Sequence, residues 1–192
     1  IDTICIGCAG GCGVTTLLPL VWEDAPKGMK GLTLTLSGLT GGHSGLDIHK
    51  NRGNAIKLLT RCLYALRELK IILVDFQGGD KHNAIPRECT ALVMLAEDCA
   101  PQAERILNAQ CASFKKEFAH EHHLEIITTT LQLRHRIVSP PLLNTILHML
   151  MAFPSGVLAM NRDIPDLVET SSNLATAHIR EGVLMTHLSL IH

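Results

Sequence analysis

Hydrophobic residues between positions 32 and 133 switch repeatedly between two periodicities. Residues 32–36 are Leu-Thr-Leu-Thr-Leu, which is the alternation of a half-buried strand. Residues 54–69 instead place Ile and Leu at three- and four-residue spacing, with Lys and Arg between them. That spacing predicts an amphipathic helix, capped by Asn51 or Asn54. The same two patterns then predict strands at 71–76 and 90–95, a helix at 101–119 and a strand at 124–133.

The resulting order of strand, helix, strand, strand, helix and strand is the split βαβ, or ferredoxin-like, pattern. It implies an α+β fold in which an antiparallel sheet carries helices on one face. Beyond it, residues 139–152 predict a third helix, with Ser139 as its cap and Pro140 at its first position. Two extended runs, 172–179 and 183–191, flank a Glu-Gly turn signal. We therefore expect a C-terminal extension made of a helix and a hairpin.

The two ends of the chain are less regular. Residues 1–13 predict the end of a buried strand followed by a Gly-rich turn, and residues 17–22 predict an extended connector. The chain begins with Ile1 rather than Met, and it ends inside the last predicted strand. We therefore expect further residues on both sides.

The composition excludes several classes of function. The formal net charge is −1, with 17 Lys and Arg against 18 Asp and Glu, so the chain has no basic stripe for a nucleic acid. The apolar runs are shorter than a membrane span, which needs about 20 residues. Hydrophobic residues make up 46% of the chain, which is typical of a folded domain. The seven cysteines form no regular disulfide framework, and we interpret them as mostly buried, reduced thiols of a cytoplasmic protein.

Two polar loops carry the candidate site residues. Residues 41–45, Gly-Gly-His-Ser-Gly, lie between a predicted strand and a predicted helix, and flanking glycines let a backbone approach a ligand while His43 presents its imidazole. The alternative is a flexible turn with a surface histidine. Residues 78–86 form the second loop, in which Asn83 can donate its amide to a carbonyl or carboxylate. The alternative there is an asparagine that satisfies its own turn.

Two clusters contain residue types that commonly bind metals, but neither has the spacing or the number of ligands of a metal site. Cys5, Cys8 and Cys12 lack a fourth ligand at any usual spacing, and a strand would direct Cys5 and Cys8 to opposite faces. Three histidines lie close together at the end of the second predicted helix: His120, His122 and His123. The carboxylates nearest to them in sequence are Glu117 and Glu121. We interpret that segment as a solvated helix end. The residues alone thus predict an α+β domain with two polar loops and no defined reaction.

Seven segments, in order and spacing, resemble the Xaa-His dipeptidases, also called aminoacyl-histidine or cytosol non-specific dipeptidases. This family belongs with carnosinase and carboxypeptidase G among the di-zinc metallopeptidases. The segments are residues 7–11 (Gly-Cys-Ala-Gly-Gly), 41–45, 48–50 (Ile-His-Lys), 53–55, 75–79, 83–88 (Asn-Ala-Ile-Pro-Arg-Glu) and 168–175 (Val-Glu-Thr-Ser-Ser-Asn-Leu-Ala).

The resemblance implies a catalytic α/β domain, whose two metal ions are held by His, Asp and Glu, and a lid domain inserted into it. Residues 1–29 would be the end of the catalytic domain and a connector, and residues 30–192 would be the lid, of a dimerisation type and truncated at its C-terminal end. The family's substrate-binding Arg would fall near Ile191 and His192, and neither residue is Arg. The metal ligands would lie outside this chain, so we expect the chain alone to be inactive and to hold no tight zinc.

The resemblance also implies roles for the loop residues. His43 matches the lid histidine that binds substrate or polarises the scissile carbonyl, in some relatives across a homodimer. Asn83 matches a substrate-binding lid asparagine. The whole enzyme would hydrolyse Xaa-His and other dipeptides with two Zn²⁺, or Mn²⁺ or Co²⁺ as substitutes. The alternatives are a non-enzymatic, lid-like dimerisation module and a homologue that has lost the chemistry.

Overall fold

One antiparallel sheet organises residues 9–131 and 136–192, which are the residues that the computed structural model describes. The strands are β1 (Gly11–Pro19), β2 (Trp22–Asp24), β3 (Met29–Ser37), β4 (Gly42–His43), β5 (Ile72–Gly78), β6 (Ala84–Ile85), β7 (Cys89–Ala96), β8 (Glu125–Leu131), β9 (Arg136–Val138), β10 (Gly156–Met160), β11 (Val168–Arg180) and β12 (Val183–Ile191). The helices are α1 (Ala55–Leu66), α2 (Ala100–Glu117) and α3 (Pro140–Ala152). The strand order of the main sheet is β1-β12-β11-β5-β7-β3-β8, and β10 joins it beside β11. Two small ladders, β2 with β9 and β4 with β6, lie apart from it.

One end of this sheet is the predicted ferredoxin-like unit. Strands β8, β3, β7 and β5 are neighbours in that order and all pair antiparallel, with α1 between β3 and β5 and α2 between β7 and β8 along the chain. The Leu-Thr alternation of β3 buries Leu32, Leu34 and Leu36 against the helices. The predicted fold class is therefore confirmed.

Helix α1 shows why the sequence pattern was a sufficient guide here. Asn54 caps the helix, since its Oδ1 accepts hydrogen bonds from the amides of Ile56 and Lys57 at 3.1 and 3.2 Å. The predicted apolar stripe is fully buried, including Leu59 and Leu63. Truncating one such leucine to Ala costs about 2–5 kcal/mol. The helix therefore forms a large part of the core.

The C-terminal hairpin forms as predicted, but it is part of the sheet rather than an extension beside it. Glu181 and Gly182 both have positive φ, at 50° and 80°, as a tight two-residue hairpin turn requires. Strand β11 then pairs with the end of β5, and β12 pairs with β1. Local periodicity predicts that these strands exist, whereas their neighbours are decided by long-range packing.

The N-terminal prediction was wrong within the described residues. Residues 11–13 continue into strand β1 instead of forming a turn, and 17–19 belong to that strand rather than to a connector. The free side of β12 supplies hydrogen-bond partners along the whole of β1. Gly13 also has a packing reason, because a Cβ there would lie 2.9 Å from the His187 ring. Residues 1–8 lie outside the described residues.

Two further expectations need correction. Ser139 precedes α3, but its side chain makes no capping bond; its hydroxyl donates to Glu23 instead. Strand β10 follows α3, where the sequence indicated only that the helix ends. It forms because the N-terminal part of β11 offers it a free edge. None of the described helices combines the length and the hydropathy needed to span a membrane.

Candidate functional site

The two candidate loops lie side by side. Strand β4 pairs with β6, so that Gly42 faces Ile85 and His43 faces Ala84. The Ser44 amide also donates to the Asn83 carbonyl at 2.9 Å. Two segments that are distant in sequence are thus joined through their main chains, and His43 and Asn83 are both exposed at this junction.

The imidazole of His43 is oriented by its own loop. Its Nδ1 accepts hydrogen bonds from the amides of Gly45 and Leu46 at 3.0 and 3.2 Å. Backbone amides only donate, so Nδ1 carries no proton and the neutral ring carries its proton on Nε2. Within the described residues no side chain or carbonyl bonds Nε2. His43 therefore presents an N–H donor outward.

Asp47 holds the main chain of the same turn, and sequence reasoning missed it. Its Oδ2 accepts from the His43 amide at 2.9 Å, and its own amide donates to the His43 carbonyl at 2.9 Å. Lys50 Nζ bonds Oδ1 at 2.7 Å, and Arg52 Nη1 lies 3.4 Å from Oδ2. The Lys50 hydrogen bond and then the His43 amide lower the pKa of Asp47 to about 2. The signal in the sequence was an acid four residues after the histidine, followed by two cations.

The glycines before His43 are required by this packing. Gly41 has φ +62° and Gly42 has φ +145°, which are conformations that other residues rarely adopt. A Cβ on Gly41 would collide with the Arg87 side chain, and one on Gly42 would collide with Arg52 and Asp47. The glycines thus allow the charged side chains to lie directly against the loop backbone.

Two buried asparagines support the Asn83 loop. Asn173 Nδ2 donates to the Ala84 carbonyl at 2.8 Å. Asn54 Nδ2 donates in turn to Asn173 Oδ1 at 3.3 Å and to the Leu174 carbonyl at 2.9 Å, while its Oδ1 caps α1. The start of α1, strand β11 and the Asn83 loop are therefore connected by one hydrogen-bonded network.

Glu121 stabilises the His43 loop by accepting hydrogen bonds from the residues that flank it. Its side chain is buried, and it accepts from the Thr40 amide and hydroxyl, both at 2.7 Å, and from the Gly53 amide at 3.1 Å. Thr40 and Gly53 lie on either side of the His43 turn. The carboxylate considered as a possible metal ligand thus accepts from two backbone amides and one hydroxyl, whereas the neighbouring histidines are exposed as predicted.

Comparison with known proteins identifies this arrangement. Residues 34–122 match the peptidase dimerisation domain of the M20 family. The chain contains an M20 peptidase dimerisation domain. Its sequence is 36% identical over 186 residues to the cytosol non-specific dipeptidase of Escherichia coli K12, covering 96% of this chain and 38% of that protein. Its fold matches the crystal structure of the aminoacylhistidine dipeptidase from Vibrio alginolyticus, with a TM-score of 0.90, 32% identity, and coverage of 97% of this chain and 38% of that one.

The chain therefore spans 38% of the length of each of these two relatives. Both matches run through the dimerisation domain and continue beyond it, to nearly the whole of the sequence printed here. The resemblance stated from the motifs is confirmed, and the chain corresponds to the lid and dimerisation portion of these dipeptidases.

A polar cleft of about 630 Å³ adjoins the two loops of the dimerisation domain. Gln77, Lys81, Arg87 and His178 contribute to its walls. Burial, and then the charge of Arg180, lower the pKa of His178. Its Nδ1 is a buried side-chain atom without a hydrogen-bond partner among the described residues.

The described cysteines are all free, and they differ in exposure, with Cys99 and Cys111 only partly buried. Cys62 and Cys89 are free and buried in the core, and burial raises the pKa of Cys62 to about 12 and that of Cys89 well above its usual value. Cys12 is free and exposed on β1. Cys5 and Cys8 lie outside the described residues, so the proposed absence of a three-cysteine site stays a prediction.

Proposed function

We propose that this chain is the lid of a dipeptidase that hydrolyses Xaa-His and other dipeptides. In this proposal His43 polarises the scissile carbonyl and Asn83 binds the substrate. The observation that supports it best is the pairing of β4 with β6, which joins the two loops and leaves an oriented Nε2–H on His43 at their junction.

The chemistry follows from the donor that His43 presents. As water adds to a peptide carbonyl, negative charge builds on the carbonyl oxygen, and a fixed N–H donor stabilises that charge. Because Nδ1 is occupied by two amides, the ring is already oriented and needs no reorganisation when the charge forms. Asn83 is exposed beside it, and its amide can donate to the substrate's carbonyl or carboxylate.

The metal dependence of the proposed enzyme requires residues other than those described. Residues 9–131 and 136–192 contain no group of three His, Cys, Asp or Glu that could hold a metal ion, so they do not fit a two-zinc centre. We propose that two zinc ions are bound elsewhere in the whole enzyme, and no step here is assigned to them.

The proposed domain division places the end of a catalytic domain and a connector in residues 1–29 and the lid in residues 30–192. Within that division, β1 contributes an outer strand to the lid sheet through β12.

A homodimer is part of the proposal and is supported by the match to a peptidase dimerisation domain. Strand β8 ends the strand order and exposes Ile127 and Leu131. A cytoplasmic location is supported by the cytosolic relative.

The test of this function is His43→Ala in the full-length enzyme that carries this chain. Losing one donor to the oxyanion typically costs on the order of 100- to 1000-fold in turnover. We therefore expect kcat/KM for Ala-His to fall by about that factor, while zinc content and melting temperature stay nearly constant because His43 is an exposed loop residue. His49→Ala is the matched control, since His49 is an exposed histidine six residues further along. A near-normal kcat/KM in His43→Ala would refute the assignment.

A second test uses the chain by itself. We expect purified chain to show no hydrolysis of Ala-His or Gly-Gly with Zn²⁺ or Mn²⁺, because its described residues bring no ligand cluster together. Equilibrium dialysis against Zn²⁺ should likewise show no tight binding. Metal-dependent turnover above background would overturn the proposed division of labour between this lid and the rest of the enzyme.

A further inference from the structure

Residues 43–47 close into a ring of hydrogen bonds around the His43 side chain. The amide and carbonyl of His43 are bonded to the carboxylate and amide of Asp47. Between these anchors, the amides of Gly45 and Leu46 converge on Nδ1. The position of those two amides depends on the main chain of the turn, and Asp47 holds both ends of that main chain.

The charge of Asp47 is held in place by two cations. Lys50 and Arg52 approach different carboxylate oxygens, and the Arg52 guanidinium also donates to the Gly41 carbonyl. The side chains of Asp47 and Arg52 are only 20% and 19% exposed. One ion pair thus connects the segment that enters the turn with the segment that leaves it.

Apolar packing does not replace these contacts at the turn. Leu46, the hydrophobic residue at its tip, is 75% exposed. Among the described residues, the turn is otherwise joined to its surroundings by main-chain hydrogen bonds of the short β4–β6 ladder and by the Ser44 to Asn83 bond, none of which involves residues 45–47. The conformation that fills Nδ1 therefore depends on the carboxylate.

We propose that Asp47 is the positioning residue for His43. Its carboxylate keeps the turn in the conformation in which the Gly45 and Leu46 amides occupy Nδ1, so that the ring proton stays on Nε2 and faces outward. This inference rests on the proposed role of His43 in turnover, but the effect on the ring proton can be measured separately.

The first test replaces Asp47 by Ala and by Asn in the full-length enzyme, labelled with ¹⁵N at histidine. Long-range ¹H–¹⁵N spectra report which nitrogen of His43 carries the proton. We expect the Nε2–H form in the unmodified enzyme, a mixture of both tautomers in Asp47→Ala and a smaller change in Asp47→Asn, which keeps one acceptor oxygen. Asp163→Ala is the matched control, since Asp163 is an exposed carboxylate in the turn between β10 and β11. An unchanged His43 spectrum in Asp47→Ala would overturn the inference.

The second test is a double-mutant cycle in kinetics. Misplacing a reacting group by about 1 Å can cost on the order of 100-fold, so we expect Asp47→Ala to lower kcat by about 10- to 100-fold with KM changed less than about twofold. In the His43→Ala background the same change should lower kcat by less than about threefold, because the group that it positions is gone.

The cycle separates the two proposals. If His43→Ala has little effect on its own, the proposed function fails, and the spectra still decide whether Asp47 fixes the tautomer. If His43→Ala has its large effect but Asp47→Ala costs equally much with and without His43, the positioning role is wrong and the function of His43 stands.

Discussion

The His43 turn and the end of helix α2 are built from similar residues and use them in opposite ways. Both segments combine histidines with a carboxylate at a polar loop. In the turn, the imidazole is held by two amides and the carboxylate lies partly exposed between cations. At the helix end, the histidines are exposed and Glu121 is buried under three donors. The difference shows that convergent backbone donors, rather than residue type, decide which side chain becomes fixed.

Of the substitutions that test this difference, removal of the buried Glu121 carboxylate should have the largest effect on stability. Glu121→Ala leaves the amides of Thr40 and Gly53 and the Thr40 hydroxyl without their acceptor, and each unpaired buried group costs about 1–3 kcal/mol. Because water can replace part of the loss, we expect the free energy of unfolding to fall by about 2–4 kcal/mol. Urea unfolding measures it, and Glu121→Gln should cost less. A change below about 1 kcal/mol would mean that the buried contacts contribute little.

The Asp47 carboxylate of the turn should have a smaller effect on stability, and that effect should depend on pH. The pKa of Asp47 is lowered from 3.8 to about 2 in the folded protein, chiefly by Lys50. The folded state therefore holds this proton less tightly than the unfolded state, so the stabilisation is present above about pH 4 and is lost as pH falls toward about 2. Asp47→Asn should make stability fall less steeply with acid in that range. Unfolding measured at pH 7, 4 and 3 tests this, and parallel curves for both proteins would contradict it.

The exposed histidines should have the smallest effect. His122 is exposed beside the buried Glu121, so His122→Ala should change the free energy of unfolding by less than about 0.5 kcal/mol. Zinc bound by the full-length enzyme should stay constant as well, because the described residues show no metal-binding group at this helix end. A loss of zinc or a cost near that of Glu121→Ala would remove the distinction between the two segments.

Local patterns were sufficient for most of the secondary structure and for the topology of the ferredoxin-like unit. The alternation in β3 and the three- and four-residue spacing in α1 are properties of neighbouring residues, and the six-element order then leaves few ways to bury both kinds of apolar face. The motifs around His43 and Asn83 likewise indicated the dipeptidase resemblance that the comparisons confirm.

Only the tertiary structure decided the contacts made between distant segments. Strand β1 forms because β12 offers a free edge, and the hairpin joins the sheet because β11 meets β5. Glu121 is buried where the loops on either side of the His43 turn bring the amides of Thr40 and Gly53 within hydrogen-bond distance of it. Such partners have no fixed spacing in sequence, since a hydrogen bond depends on where two groups lie in space and not on how many residues separate them.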